Sequence, residues 1–297
     1  MKEFFKKNTI SILCPTHKRV DQLKLMIESA WATAKNPKDL QFCLYIDNDD
    51  LSYQKLLIEF SHLPINILNG PKMWLSSMFN SLLTISTGEL LLYCGDDVIF
   101  RTKNWDEILQ NVFEKSADKL MVAHVNDGAN YEQCWATIGV VHQNWIKLFG
   151  YLLTPQIPDN GIDAWITHVA NQSNRRVYLP EILIEHMQYR QDKSSIDDTY
   201  SQRLIEHKKY NPFLLYKSLL EEVRRDCLIL FYKLNSSPPR ISKKFLFSDL
   251  FVRTLLIFGL ISTNNPKIIY FSSMKNITFI KYLLSKIGLP TIPKKWK

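Results

Sequence analysis

Glycine, cysteine and long apolar runs are all scarce in this sequence, and each shortage removes a class of protein. There are 9 glycines in 297 residues, and none falls in the loop after the first apolar run, Pro15-Thr16-His17-Lys18-Arg19. That excludes a glycine-rich cradle, in which backbone amides close directly on a phosphate. The cysteines, at 14, 43, 94, 134 and 227, are odd in number and widely spaced. Three of them lie in expected strands of one sheet, which suits reduced, buried thiols and argues against a disulfide or zinc framework. The most apolar stretch, 245–261, is interrupted by Asp249 and Arg253 and is too short to cross a bilayer, so no transmembrane segment is expected. The opening residues, Met1 to Lys7, lack the apolar core of a signal peptide, and a cytoplasmic protein is the expectation. Internal repeats and low-complexity tracts are absent as well.

Acidic charge is scarce at one end only. Residues 211–297 carry 15 lysines and arginines against 4 aspartates and glutamates, a balance of +11, whereas residues 1–210 sum to −3. Such asymmetry suggests that the basic end meets a polyanion, either nucleic acid or a membrane surface. Hydrophobic content of 46% and charged content of 22% are those of a soluble globular chain, long enough for one large domain or two modest ones.

What is present is an alternation of two periods. Short apolar runs at 10–14, 42–46, 65–68 and 90–93 read as buried strands. Between them, 20–31, 53–60 and 73–85 carry apolar residues at helical spacing. The order is βαβαβαβ, which predicts a parallel sheet covered by helices on both faces. Further on, 105–115 and 162–170 read as helices, and 120–125 and 135–141 as strands. Two short strands, 177–179 and 182–185, are expected around Pro180, then a helix at 198–208. Asn211-Pro212 marks a boundary, beyond which the chain is helical, basic and aromatic, with amphipathic stretches at 213–234, 245–261 and 268–287. The expected division is therefore 1–210 and 211–297.

The chemistry-bearing feature is the fourth strand, Leu90-Leu91-Leu92-Tyr93-Cys94, which runs through Gly95 into Asp96-Asp97. Adjacent carboxylates at a strand end are costly unless something positive lies on them, and open α/β sheets bind ligands at that end. A divalent cation carrying a nucleotide diphosphate meets both conditions. A solvated Gly-Asp-Asp turn is the competing reading.

In its order of motifs, the chain resembles family 2-type glycosyltransferases of the GT-A fold, a Rossmann-like nucleotide-sugar-binding domain. The segments that carry the resemblance are 10–19, 44–49 (Leu-Tyr-Ile-Asp-Asn-Asp), 88–97, and Ile184-Glu185-His186-Met187-Gln188 with Asp197 to Tyr200. They span about 200 residues and leave out the basic end. The resemblance implies a hexosyl- or pentosyltransferase, with a possible phage-type member that modifies DNA. It implies that Pro15, Thr16 and Arg19 lie beside the base and ribose, and that Asp47 accepts a hydrogen bond from the base, which suits uracil and UDP. Asp47 as a plain turn acid and Arg19 as an exposed helix-start residue remain the alternatives. Asp96 would meet the ribose, and Asp97 with His186 would hold Mn2+ or Mg2+, hard cations that favour such donors. The usual first acid of the motif is Gly95 here. Arg190 and Lys193 would clamp the leaving diphosphate. Lys72 stands near, and Trp74 on, the position where the family often has a basic residue.

The resemblance also implies an acid at a helix start, facing the anomeric carbon, as the general base that would take the acceptor's proton; Asp163, at the start of the 162–170 helix, fits best, followed by Asp159 and then Asp127. Complementation of the helix N-terminus is the alternative for Asp163. A single base across the sugar from the leaving group implies inversion. For the acceptor, hydroxymethylated bases in DNA stand slightly ahead of a membrane-surface glycolipid or lipopolysaccharide, and an ordinary solvated basic face comes third. A nucleotidyltransferase is disfavoured by the loop without glycine. A non-catalytic nucleotide-binding scaffold is disfavoured by the joint presence of Asp47, Asp96, Asp97, Asp163 and His186.

Overall fold

The computed structural model describes residues 5–128, 135–157, 159, 161–187, 201 and 212–234. The alternation read from the sequence folds as β1 (Lys6–Thr16), α1 (Val20–Thr33), β2 (Leu40–Asp47), α2 (Gln54–Glu59), β3 (Ile65–Gly70), α3 (Leu75–Leu82) and β4 (Gly88–Tyr93). Then follow β5 (Val98–Phe100), α4 (Trp105–Glu114), β6 (Val122–Asn126), β7 (Gly139–His142), α5 (Gln143–Phe149), α6 (Ile162–Gln172), β8 (Arg176–His186) and α7 (Pro212–Lys233).

Eight strands among the described residues form one sheet in the order β3-β2-β1-β4-β7-β6-β8-β5. β1 pairs parallel with both β2 and β4, and β2 pairs parallel with β3. β7 then enters antiparallel between β4 and β6, and β5 is antiparallel to β8. The fold class is thus the expected one: mixed α/β with an open, mostly parallel sheet.

Period-two burial sorts the strand side chains between two faces. Ile10, Ile12 and Cys14 of β1 pack with Leu90 and Leu92 of β4 beneath α1, α2 and α4. Leu13, Leu91 and Tyr93 face the other way, onto α3, α5, α6 and α7. Trp105, Trp145 and Trp165 are fully buried, one under the first face and two under the second. Truncating any of these to alanine would cost about 3–5 kcal/mol.

α7 belongs to this second core. Leu219, Val223, Cys227, Leu230 and Phe231 are buried in it beside Trp165 and Val169 of α6. The fully buried Asp226 fixes the contact. Its carboxylate accepts the Trp165 Nε1–H at 2.9 Å and the Tyr151 hydroxyl at 2.8 Å, and pairs with Arg225 at 2.9 Å.

Several local expectations are corrected. The two strands expected around Pro180 are one continuous strand, β8. Its pairing with β6 shifts register between Leu179 and Leu183, so the missing N–H of Pro180 falls where the ladder is already irregular. The strand expected from 135 begins only at Gly139, and α3 is shorter than the apolar spacing suggested. β5 and α5 carry too few residues to show a period, and neither was expected. The helix expected at 198–208 lies outside the described residues apart from 201. Cys14, Cys43, Cys94 and Cys227 are buried free thiols.

Candidate functional site

In the parallel half of the sheet, strand order reverses at β1, with β2 on one side and β4 on the other. The crevice beyond the carboxyl ends of β1 and β4 is where an open sheet of this kind takes its ligand. Thr16 closes β1, and Asp96 and Asp97 follow β4. All three are buried.

The acids are not solvated turn residues. Arg19, the N-cap residue of α1, is itself buried, and its guanidinium reaches across the crevice. Its Nη1 is 3.1 Å from Asp96 Oδ1 and 3.6 Å from Asp97 Oδ2. Thr16 Oγ1 donates to Asp96 Oδ2 at 2.7 Å. Burial, reinforced by the neighbouring Asp97 charge, raises the Asp96 carboxyl to about 6 against the pull of Arg19 and Thr16.

His186 arrives from the far end of the chain. β5 continues from the acids and pairs with β8 in the register Val98↔His186. The Met187 N–H donates to the Asp97 carbonyl at 2.8 Å, and the His186 N–H to the Asp127 carbonyl at 2.9 Å. These bonds leave His186 Nε2 at 3.1 Å from Asp97 Oδ1. The two donors fit a hard divalent cation in chemistry and in spacing. Bonds of about 2.1 Å to an octahedral ion set neighbouring ligand atoms roughly 3 Å apart.

Gly95 has a steric reason. A Cβ there would lie 2.7 Å from Asp97 Oδ1, the oxygen that faces His186.

The base-facing side is built on β2. Asp47 ends that strand, buried, with His17 Nδ1 at 3.2 Å from its Oδ2. Asp50 anchors the opposite loop: its Oδ2 accepts the Lys18 N–H at 2.6 Å and lies 3.6 Å from His17 Nδ1. Burial raises the Asp47 carboxyl, and the charges of His17 and Lys72 oppose that. Lys72 is therefore within electrostatic reach of Asp47, while Trp74, at the N-cap of α3, is 45% exposed. His17, Asp47 and Asp49 bring ligand atoms within 4.8 Å of one another, a second nitrogen-and-oxygen cluster able to attract a cation. Pro15 pairs with Tyr45 at the ends of β1 and β2.

Asp163 lies in the first turn of α6, behind Gly161, whose φ of 95° sets the left-handed N-cap. The Tyr93 phenol, on the last residue of β4, is held protonated by burial and then by the Asp163 charge. Asp163 is therefore within electrostatic reach of that phenol, which turns onto the sheet face covered by α5, α6 and α7. Its carbonyl accepts from Thr167 Oγ1, and Thr167 in turn accepts the Ala136 N–H. Asp159 is buried, and its carbonyl lies 3.4 Å from the Ile162 amide. Asp127 is buried and accepts from Thr137 at 2.7 Å while its carbonyl braces His186. Arg190 and Lys193 lie outside the described residues.

Sequence reasoning missed Tyr53, His17, Asp50 and Asn80. His17 had a signal, since it shares a loop with Thr16 and Arg19 and faces the acid run 47–50. Asn80 of α3 had none. Its side chain ties the loop ahead of α6, accepting the amides of Leu152 and Leu153 and donating to the Leu153 carbonyl.

No family model and no curated protein matches this sequence. Solved structures do share its fold. Residues 1–349 of TarS from S. aureus are 12% identical over 94% of this chain and 92% of that one, with a TM-score of 0.50. The same protein in complex with UDP gives 11% identity, 94% and 92% coverage and 0.50. In complex with UDP-GlcNAc it gives 11%, 95% and 92%, and 0.50. At these identities the likeness is one of fold.

Proposed function

We propose that this chain is a glycosyltransferase of GT-A type, moving a sugar from a nucleotide sugar to an acceptor hydroxyl. The observation that carries the reading is the buried Asp96–Asp97 pair at the switch point of the sheet, with Arg19 and His186 converging on it. Two buried acids held at a strand end by a guanidinium and an imidazole are difficult to explain as scaffolding alone. Uridine is the preferred base. Asp47 would accept the uracil imide N–H, and a protein of similar fold is in complex with UDP and UDP-GlcNAc.

Thr16, Arg19 and Asp96 would hold the base and ribose with Pro15, and Lys72 or Trp74 would line the same crevice. Asp97 and His186 would hold Mn2+ or Mg2+, which when bound neutralises the charge that builds on the leaving diphosphate. Arg190 and Lys193 would add to that neutralisation. Asp163 would take the proton from the acceptor hydroxyl as it attacks the anomeric carbon. One base opposite the leaving group gives inversion through an oxocarbenium-like transition state.

The acceptor is proposed to be polyanionic, held by residues 211–297 on the strength of their +11 balance. Within that part, α7 serves the catalytic body, so acceptor binding would fall to the residues beyond it. A hydroxymethylated base in DNA is placed ahead of a lipid-linked or lipopolysaccharide acceptor at a membrane surface. Competition between duplex DNA and anionic vesicles for the full chain, at one ionic strength, separates them. Vesicle binding without DNA binding would reverse the order.

The test of the function itself is titration of the full chain with UDP, with and without Mn2+, followed by hydrolysis and transfer assays on nucleotide sugars. Asp97→Ala is expected to fold and to lose Mn2+-dependent UDP binding and turnover. An Asp97→Ala chain that turns over normally in chelator would overturn the metal assignment. A wild-type chain that binds no nucleotide would overturn the function.

A further inference from the structure

Tyr53 is 1% exposed, yet it carries a hydroxyl into the floor of the crevice. It comes from the turn ahead of α2, well away in sequence from the acids it serves. Its oxygen accepts the Arg19 backbone N–H at 2.9 Å and lies 2.6 Å from Thr16 Oγ1. Thr16 Oγ1 is in turn 2.7 Å from Asp96 Oδ2.

The direction of every proton in this chain follows from what each group can give. An ionised carboxylate only accepts, so Thr16 commits its one proton to Asp96. The Thr16 oxygen is then left to accept, and Tyr53 must donate to it. The Tyr53 oxygen receives the Arg19 amide. Burial drives the phenol far above its ordinary range, so it stays a donor. The Arg19 guanidinium closes the circuit on the other Asp96 oxygen at 3.1 Å. The arm from the Arg19 amide through Tyr53 and Thr16 to Asp96 runs in one sense, and hydrogen bonds chained that way polarise one another.

We infer that Tyr53 is a positioning residue for the donor nucleotide. Through Thr16 it fixes the rotamer of Asp96, and through the Arg19 amide it fixes the course of the 16–19 loop. This rests on the nucleotide-sugar reading, in which the ribose and base lie against those two surfaces. Tyr53 touches no substrate itself.

The test uses the full chain titrated with UDP in the presence of Mn2+. Tyr53→Phe keeps the ring and its packing and deletes the hub. Thr16→Val deletes the next link, and Thr16→Ser retains it. Tyr53→Phe and Thr16→Val are expected to weaken UDP binding about 5- to 20-fold, the worth of one to two hydrogen bonds. Thr16→Ser, which keeps the hydroxyl link, is expected to bind UDP more tightly than Thr16→Val. The double variant Tyr53→Phe/Thr16→Val should bind about as the weaker single, since both cut one chain. Unchanged affinity in Tyr53→Phe, or single losses that multiply in the double, would overturn the inference. Should Tyr53→Phe fail to fold, equal affinities of Thr16→Ser and Thr16→Val would overturn it instead. A wild-type chain that does not bind UDP refutes the uridine-donor reading, and this inference falls with it. A wild-type chain that binds while Tyr53→Phe matches it refutes this inference alone.

Discussion

Replacing Gly95 by aspartate would restore the acid that resembling enzymes usually carry, and the geometry around Asp97 predicts a loss rather than a gain. A Cβ at 95 would sit 2.7 Å from Asp97 Oδ1, where ordinary contact begins at 3.4 Å. The carboxylate must therefore retreat by about 0.7 Å. That oxygen lies only 3.1 Å from His186 Nε2, so a displacement of this size disturbs the Asp97–His186 pair. A charge-assisted contact of this kind is worth about 1.5–3 kcal/mol, or roughly 10- to 100-fold in affinity. Gly95 does not occupy a positive φ, so alanine meets no backbone strain there, and the change should leave stability near that of the wild type. Gly95→Ala is thus expected to melt normally and to bind UDP in the presence of Mn2+ about 10- to 100-fold more weakly. Gly95→Asp should be at least as weak, because it adds a third negative charge. Calorimetric titration with UDP, alongside thermal melting, reads both quantities. A Gly95→Asp chain that binds as tightly as the wild type would refute the reasoning and with it the claim that the Asp97–His186 spacing matters.

Three further outcomes are expected. Asp163→Asn should keep UDP binding and lower kcat by about 10² to 10⁴, the usual contribution of a general base; near-normal turnover there, with Asp159→Asn inactive, would move the base to Asp159. Asp226→Ala should destabilise the chain by about 3 kcal/mol, because it leaves Trp165 Nε1 and the Tyr151 hydroxyl without their acceptor under α7; an unchanged melting temperature would mean that α7 is not docked as described. The Asp96 carboxyl, raised from 3.8 to about 6, binds its proton more tightly folded than unfolded. Its contribution to stability is therefore full below about pH 4 and is lost as pH rises through 6. Denaturant unfolding from pH 4 to 7 should show that fall in the wild type and a flatter profile in Asp96→Asn, and parallel profiles would show that Asp96 does not titrate in this window.

The sequence by itself determined the parallel half of the sheet and the end at which its acids stand. Strand and helix differ in period, two against 3.6, so the runs from Ile10 to Tyr93 declared their element types without any tertiary information. Asp47, Asp96 and Asp97 were visible because each directly follows or closes an apolar strand. Tertiary structure alone decided how those acids are satisfied. Arg19 was open between an exposed helix start and a ligand-facing role, and only the fold lays it, buried, across both carboxylates. His186 meets Asp97 through the register of β5 on β8, two strands too short or too irregular to align from composition. Tyr53 reads as one more apolar position until the loop it supports is folded over it. α7 was set apart by its place in a basic stretch, yet the buried Asp226 and the apolar stripe around it fix it to α6. Periodicity is a property of neighbours along the chain and can be read there. Charge pairing and hydrogen-bond closure depend on which distant residues meet, and packing sets those meetings.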